Sequence, residues 1–495
     1  MTQRLIETWL PIAALGEESV RERRSMTALP PVYYLHIWWA RRPLIAARAA
    51  ILASLLPADA DRDKFMHILG IHGDPVASRR RIDDARRSGD RFEGEAYSYR
   101  RAFTYCPTDV ERAWIKEQAA RCGADSAVVL DPTAGGGSIP FEASRLGFTT
   151  YANDLNPVAA LILRATIEFP SQLGYDVLDE FQLLAKKFVA RREERLKPFF
   201  PPEPETNCIP TNYLWARTIT CPYCDGAIPL SPNWRLAPDG TGVRLHPDPT
   251  SKRCTFEIVK SAKEQTAATV TGGDAKCPYP GCGRIVEGDE VKRQAQAGGM
   301  GEQLFAVVFK RKIVTKTKTG KEKVNWESDY RAASNEDDNG ASIQRMLEDR
   351  LPEWEANGVV PTERLPMDTE SWTHGNTPAQ FGAVYFLDLF TPRQRLVHGI
   401  SADVFRELVA AGKTGREALA YLAIALDKLI DYNSRTSAWH SGREVTEHTF
   451  RDHAYPLKWS FSEMAPSVDG SEWAIRQTGK CIKELIELVR PDLAA

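Results

Sequence analysis

The chain has 495 residues, room for about three average domains. Its 64 Lys and Arg against 66 Asp and Glu leave a net charge of −2, which excludes a globally basic nucleic-acid coat protein but not a local basic face. With 43% hydrophobic residues it can bury a sizeable core, while no apolar run approaches the ~20 residues of a membrane helix and no secretion signal opens the chain, so a cytoplasmic protein with no membrane partner is expected.

Residues 1–122 read as a helical N-terminal domain. After HIWWARR, Pro43 suits the first helical position, and Leu44, Ala47, Ile51, Leu52 and Leu55 follow with helical spacing. Residues 74–101 are Arg-rich but mixed with Asp and Glu, the pattern of a solvated helix or a loop, with a nucleic-acid contact as the alternative. A further helix is expected over 108–122. SAVVL, at 126–130, reads as a buried strand. It runs into DPTAGGG, and SIPFEASRLG continues as a helix with Gly147 as its stop. TTYAND, at 149–154, is a second strand, and NPVAALILRATIEF a second helix. This βαβα alternation over 123–200 reads as the first half of a Rossmann-like α/β core with a parallel sheet.

A charged helix over 175–197 and a Pro-rich linker, FFPPEPETNCIP, follow. Residues 213–330 shift to Thr, Pro, Gly, Cys and short strand-like runs, a β-rich module inserted in the chain. LFAVVFKRKIV and VNW predict a hairpin that turns at Gly320. Residues 331–495 read as mostly helical, packing on the core. Helices are expected at 341–356, about 402–411, 415–432 and 471–490. Thr391 is placed as an N-cap, Pro392 as the first helical residue and Gln394 as the capping-box partner.

DPTAGGG lies at a strand end and opens a helix. Gly135 and Gly137 allow a close approach that a Cβ would block, and Asp154 ends the next strand 23 residues after Asp131, where a carboxylate can accept ribose hydroxyl protons. The plain alternative is a tight turn with a capping Asp. A carboxylate at the loop mouth repels phosphates and attracts an amino group or a sulfonium, which favours S-adenosylmethionine over a dinucleotide. The candidate cofactor residues are Asp131, Pro132, Thr133, Ala134, Gly135, Gly137, Asp154, Leu155 and Asn156.

Cys221 and Cys224 (CPYC) and Cys277 and Cys282 (CPYPGC) have the spacing of zinc knuckles, each followed by a glycine, Gly226 and Gly283. Four thiolates suit a closed, structural Zn²⁺ site. Two unrelated reduced pairs or a redox motif are the alternative, and Cys254 is expected to stand aside. Lys310, Arg311, Lys312, Lys316, Lys318, Lys321 and Lys323 form a basic hairpin that either touches phosphates or protects a strand edge. His398, His440 and His453, and the pair Asp427 and Asp431, lack ligand spacing and read as structural or solvated residues.

The stretches ALPPVYYLHIWWARRPLIAARA, DPTAGGGSIPFEASRLGFTTYANDLNPVAALI, DLFTPRQ, and ALDKLIDYNSR with the following Trp439 together resemble the zinc-ribbon-containing, adenine-specific DNA methylases of bacteria and archaea. The resemblance spans most of the chain. It implies a methyltransferase core that binds S-adenosylmethionine at the glycine loop, DNA as a partner, and a restriction-modification or phage-defence setting. The WWARRPL segment looks like a variant of the helix that precedes the glycine loop in that family and backs the methionine end of the pocket. Read alone, Trp38 and Trp39 suggest core packing. Arg41 and Arg42 face a phosphate, a carboxylate or water, and together with Lys310 and Lys312 are the nucleic-acid candidates.

Methylation of an exocyclic amine calls for a second motif, [D/N/S]-P-P-[Y/F/W], whose oxygens accept the amino hydrogens and whose aromatic ring stacks on the flipped base. The two Pro-Pro pairs, LPPV at 29–32 and FPPE at 200–203, lack both flanking residues. Only two core strands are clear, with others placed near 305–312 and 383–387. No catalytic residue is therefore assigned. The expected protein is an adenine-N6 DNA methyltransferase or its cofactor-binding half, completed by a second chain or a C-terminal half that carries the motif. The alternative is a non-catalytic DNA-recognition or scaffold subunit, and a third reading is an RNA or small-molecule methyltransferase.

Overall fold

Val128, Val129 and Leu130 build β1 (Val128–Asp131), which pairs in parallel with β2 (Thr149–Ala152), Val128 opposite Thr149 and Asp131 opposite Ala152. The computed structural model describes residues 2–24, 29–90, 96–316, 321–366, 377–412, 415–452, 456–466 and 468–493. Parallel neighbours need a crossover, and the helix Ser138–Arg145 supplies it. Gly147, at φ +87°, follows the end of that helix as the sequence predicts. Among the described residues the parallel sheet has these two strands only. On the opposite face Val128 is exposed, and Leu130 and Tyr151 are 66% and 62% exposed.

The chain divides into two compact units. The first comprises Met1–Leu184, Lys413–Ile424 and Arg476–Ala495. Its core gathers Leu52, Phe65, Ile68, Ile115, Ala143 and Leu146 from the N-terminal helices and the crossover helix. The helix Leu44–Leu55 starts one residue after Pro43, which is its N-cap and not its first helical residue. Proline offers no side-chain acceptor there. Instead Glu22, at the end of the helix Ile12–Glu22, accepts the N–H groups of Leu44 (2.8 Å) and Ile45 (3.2 Å). The Arg-rich stretch forms the helix Pro75–Ser88, capped by Asp74, which accepts from Val76 and Ala77.

The second unit comprises Ala185–Gly412 and Ala425–Ile475. Its strands are β3 (Cys208–Thr220), β4 (Ala227–Leu230), β5 (Gly242–Asp248), β6 (Arg253–Val259), β7 (Val270–Thr271), β8 (Asp274–Lys276), β9 (Ile285–Val286), β10 (Gly301–Lys316), β11 (Glu322–Ala332), β12 (Trp439–His440), β13 (Val445–Thr446) and β14 (Ser460–Met464). The main sheet is antiparallel in the order β11–β10–β3–β14, with β4 pairing the far end of β3. The expectation of a core strand near 305–312 is therefore corrected: these residues belong to β10 of the antiparallel sheet. Leu304 to Phe309 are all buried, and a strand covered on both faces has the unbroken apolar spelling of a parallel one. Residues 383–387 form no strand either; Phe386–Leu389 is a turn of 3₁₀ helix. The hairpin β10–β11 forms as expected, whereas Gly320 and Lys318 lie outside the described residues, as does His453.

The expected capping box opens the helix Pro392–Ala410: Thr391 Oγ1 accepts the Gln394 N–H at 3.1 Å, and the Gln394 side chain accepts the Thr391 N–H at 2.9 Å. The helix then runs unbroken through the segment expected to begin near 402. His398, inside it, donates from Nε2 to the Asn433 carbonyl at 2.9 Å. Burial, with the Arg192 cation adding to it, pushes the ring down to about 4. An unfolded histidine titrates near 6.5, so between these values the unfolded chain binds more protons. Stability falls as pH drops from about 6.5 to about 4, by at most about 3 kcal/mol from this residue, and this contribution is flat below that window. Urea midpoints of the wild type and of His398→Gln at pH 7, 5.5 and 4.5 check this. The variant is expected to have the shallower slope, and equal slopes would assign the acid sensitivity elsewhere. Among the described residues, no helix is long and apolar enough to cross a membrane.

Candidate functional site

The loop between β1 and the crossover helix is held from the loop after β2. The Asn153 N–H donates to the Asp131 carbonyl at 2.9 Å, and the Ala134 N–H donates to the Asn153 carbonyl at 2.9 Å. Asn153 Nδ2 donates to the Pro132 carbonyl. Asp154 Oδ2 accepts the Gly135 N–H at 2.8 Å, and its Oδ1 accepts the Asn156 N–H at 2.9 Å. Asp131 Oδ1 accepts from Thr133, and Asn156 caps the helix Pro157–Leu163 through the Val158 N–H. Of the nine candidate cofactor residues, Asp131 ends β1 and the other eight lie in two adjoining loops at one end of the parallel pair. Pro132 and Thr133 are exposed, and Leu155 is 99% exposed.

Gly135 and Gly137 both take left-handed conformations, φ +52° and +81°. Their missing side chains also make room for protein neighbours. A Cβ on Gly135 would meet the Trp38 indole nitrogen at 2.6 Å, and one on Gly137 would meet Leu163 Cδ2 at 2.8 Å. Trp38 therefore packs directly under the glycine turn. Arg41 Cγ lies 3.1 Å from a Cβ position on Gly136. The Arg42 carbonyl accepts Ser138 Oγ at 2.7 Å, tying the WWARR segment to the first residue of the crossover helix. Trp39 is exposed, and so is Arg42.

Arg41 is the most informative of these residues. One of its guanidinium nitrogens, Nη2, donates to the His36 carbonyl. The other, Nη1, is buried and has no hydrogen-bond partner among the described residues. Burial pulls the guanidinium down to about 10, with Tyr33 opposing that shift. A buried donor left unpaired costs about 1–3 kcal/mol, more when charged. The guanidinium lies over the Tyr33 ring, 5.5 Å from its centroid. The sequence offers Arg41 and Arg42 as equivalent cations; the fold separates them into one buried against the loop and one exposed.

The four knuckle cysteines converge. Their Sγ atoms lie within 4.8 Å of one another, with Cys221–Cys282 at 3.8 Å and Cys224–Cys277 at 3.6 Å. Disulfide sulfurs would be about 2.05 Å apart. Four sulfurs at about 2.3 Å around a tetrahedral Zn²⁺ sit about 3.8 Å from each other, which matches. The donor set is all thiolate and closed, so the geometry fits a structural zinc. Burial pushes the Cys221 and Cys277 thiols up, while the Arg284 N–H holds Cys282 down. A cation is what would keep the buried pair ionised. Cys254 stands outside the cluster, its Sγ 4.0 Å from the Tyr279 hydroxyl, and burial raises it to about 11.

The two knuckles differ in their turns. Gly283 is left-handed at φ +61°, as expected for the residue after Cys282. After Cys224 the left-handed residue is Asp225, at φ +59°. Gly226 is instead required by packing, since a Cβ there would lie 2.4 Å from the Tyr279 ring.

The segments DLFTPRQ and DYNSR meet in a buried polar network of the second unit. Gln394 Nε2 donates to Asn433 Oδ1 at 3.1 Å, and the Arg435 N–H donates to the Leu389 carbonyl at 2.7 Å. Arg393 Nε bonds Glu463 at 2.6 Å, and Thr391 Oγ1 donates to the same carboxylate. A cleft of about 360 Å³ opens beside it, lined by Phe386, Phe390, Ile430, Asp431 and Phe450. The hydroxyls at this cleft, Ser434, Thr436 and Thr449, bond one another at 2.6 to 3.2 Å, so they are already satisfied. Lys312 is exposed on the β10–β11 hairpin and Lys310 is half-buried there.

Residues 9–69 match the model of a family described as a protein of unknown function, DUF1156. The matched stretch contains the WWARRP segment and the helix Leu44–Leu55. No curated protein matches the chain. No solved structure matches it.

Proposed function

We propose that the chain is the cofactor-binding half of an S-adenosylmethionine-dependent adenine-N6 DNA methyltransferase, completed by a polypeptide that carries the [D/N/S]-P-P-[Y/F/W] motif. The observation that carries this reading is the convergence of a glycine turn and the Asp154 carboxylate at the mouth of a parallel strand pair, with the Trp38 ring and the Arg41 stem packed against the turn. Asp154 spends two of its roughly four lone-pair sites on Gly135 and Asn156, which leaves acceptors for ribose hydroxyls. Bound there, such a cofactor would supply an electrophilic methyl group. The chain's own residues would bind and orient it, while the oxygens of the acceptor motif would accept hydrogen bonds from the amine, which loses one proton as it gains the methyl group. The bare face of β1 and β2 supports a completing polypeptide, because parallel sheets are ordinarily covered on both faces.

One observation favours the second reading, a non-catalytic DNA-recognition or scaffold subunit: both Asp154 oxygens already brace the loop. Transfer of a labelled methyl group separates the two. The tagged chain is purified from its native host with its stoichiometric partners and offered duplex DNA, RNA and metabolites. Label in N6-methyladenine, formed by the complex and not by the chain alone, is the expected result. A complex that binds DNA but labels nothing would establish the scaffold reading.

A further inference from the structure

The hairpin β10–β11 outruns the sheet that carries it. The last residue of β10 paired with β3 is Arg311, opposite Cys208, and the Lys312 N–H donates to the Asn207 carbonyl. From there to Lys316 the two strands continue as a free ribbon for roughly 14 Å at about 3.4 Å per residue. Residues directly opposite each other share a face, and the register pairs Lys312 with Trp326, Val314 with Val324 and Lys316 with Glu322. One face of the ribbon therefore carries Lys312, Lys316 and Glu322 around a contiguous apolar strip, while Lys323, opposite Thr315, lies on the other face. Val314 is 51% exposed, Val324 47% and Trp326 46%. Residues 310–327 hold seven Lys and Arg against two Glu, a surplus of five in a chain whose net charge is −2. Lys312, Lys316 and Lys323 form no ion pair among the described residues.

Lysines alone are explained by edge protection. The apolar strip is not, since a protected edge gains nothing from an exposed Trp and two Val. We infer that this ribbon is a duplex-DNA-binding arm that enters the major groove. The lysines reach phosphates on either side, and Trp326 with the Val314–Val324 pair faces the base edges. A two-stranded ribbon fits the roughly 12 Å major groove of B-form DNA, whereas the major groove of A-form RNA is too narrow for it. The inference deepens the methyltransferase reading by naming where its DNA is held, and rests on that reading for the choice of polyanion.

Fluorescence anisotropy of a labelled 30-base-pair duplex, titrated with the full chain over a salt series, tests it. Each phosphate-bound lysine contributes about 0.9 to the slope of log affinity against log salt. The double variant Lys312→Gln, Lys316→Gln is expected to lose nearly two units of slope and to bind about tenfold more weakly. Trp326→Ala is expected to weaken binding several-fold with the slope unchanged. A duplex RNA of equal length is expected to bind less tightly than the DNA. Wild-type affinity and slope in the double variant, or equal binding of the RNA duplex, would overturn the arm while leaving the DNA reading in place. Failure of the wild type itself to bind duplex DNA would remove that reading and the arm with it. All three substituted side chains are exposed, so unchanged thermal unfolding is the folding control.

Discussion

Replacing Glu142 with alanine is expected to cost about 3–5 kcal/mol and to unfold the first unit under mild denaturant. Glu142 lies on the crossover helix, at 0% exposure, between two buried guanidinium groups. Its Oε2 accepts Arg48 Nε at 2.6 Å and its Oε1 accepts Arg145 Nη1 at 2.6 Å. Arg145 also bonds the carbonyls of Tyr105 and Leu488, and Arg48 reaches the carbonyl of Ile68. Removal of the carboxylate leaves two cations without a counter-charge in a site that water does not reach. That loss is a large fraction of the 5–15 kcal/mol that typically separates folded from unfolded. The crossover helix opens at the glycine turn, so the candidate cofactor loop is expected to loosen with it. Urea unfolding measures the loss. The triple replacement Arg48→Met, Glu142→Leu, Arg145→Met, which removes all three charges together, is expected to recover most of it. A single Glu142→Ala variant within about 1 kcal/mol of wild type would contradict the account of this triad.

Loss of the metal is expected to have the larger effect on the second unit. Structural zinc sites contribute about 10–16 kcal/mol of apparent binding free energy at neutral pH. The knuckles join pieces that are too short to stand alone: β7, β8 and β9 have two, three and two residues. The predicted stoichiometry is one zinc per chain by elemental analysis. Cys277→Ser, at a buried ligand, is expected to lose the metal and to expose residues 221–286 to protease. A metal-free protein with wild-type protease resistance would overturn the structural role.

What could be read in the sequence was local. The box at Thr391 and Gln394 involves residues three apart, and the stop at Gly147 depends on one residue, so spelling and geometry coincide. The cysteine pairs declare themselves because thiol spacing is a short-range signal. What was not legible depends on distant partners. Glu22 caps a helix that starts 22 residues later, and Arg48 meets a carboxylate 94 positions away. Neither partnership leaves a local pattern. The apolar run at 304–309 misleads because burial on both faces has the same spelling in parallel and antiparallel sheets. The turn itself was legible, because a strand, left-handed glycines and a helix follow one another within about twenty residues. The roles of Trp38 under the turn and Arg41 beside it came only with the fold.

The central claim is that this loop binds S-adenosylmethionine, and isothermal titration calorimetry on the full chain tests it most directly. One site per chain is expected. Asp154→Ala, which removes charged hydrogen bonds, is expected to weaken binding about 10- to 100-fold, and Asp154→Asn, which keeps an acceptor for the loop, to lose less. Absence of binding by the folded wild type, or unchanged affinity in Asp154→Ala, would contradict it.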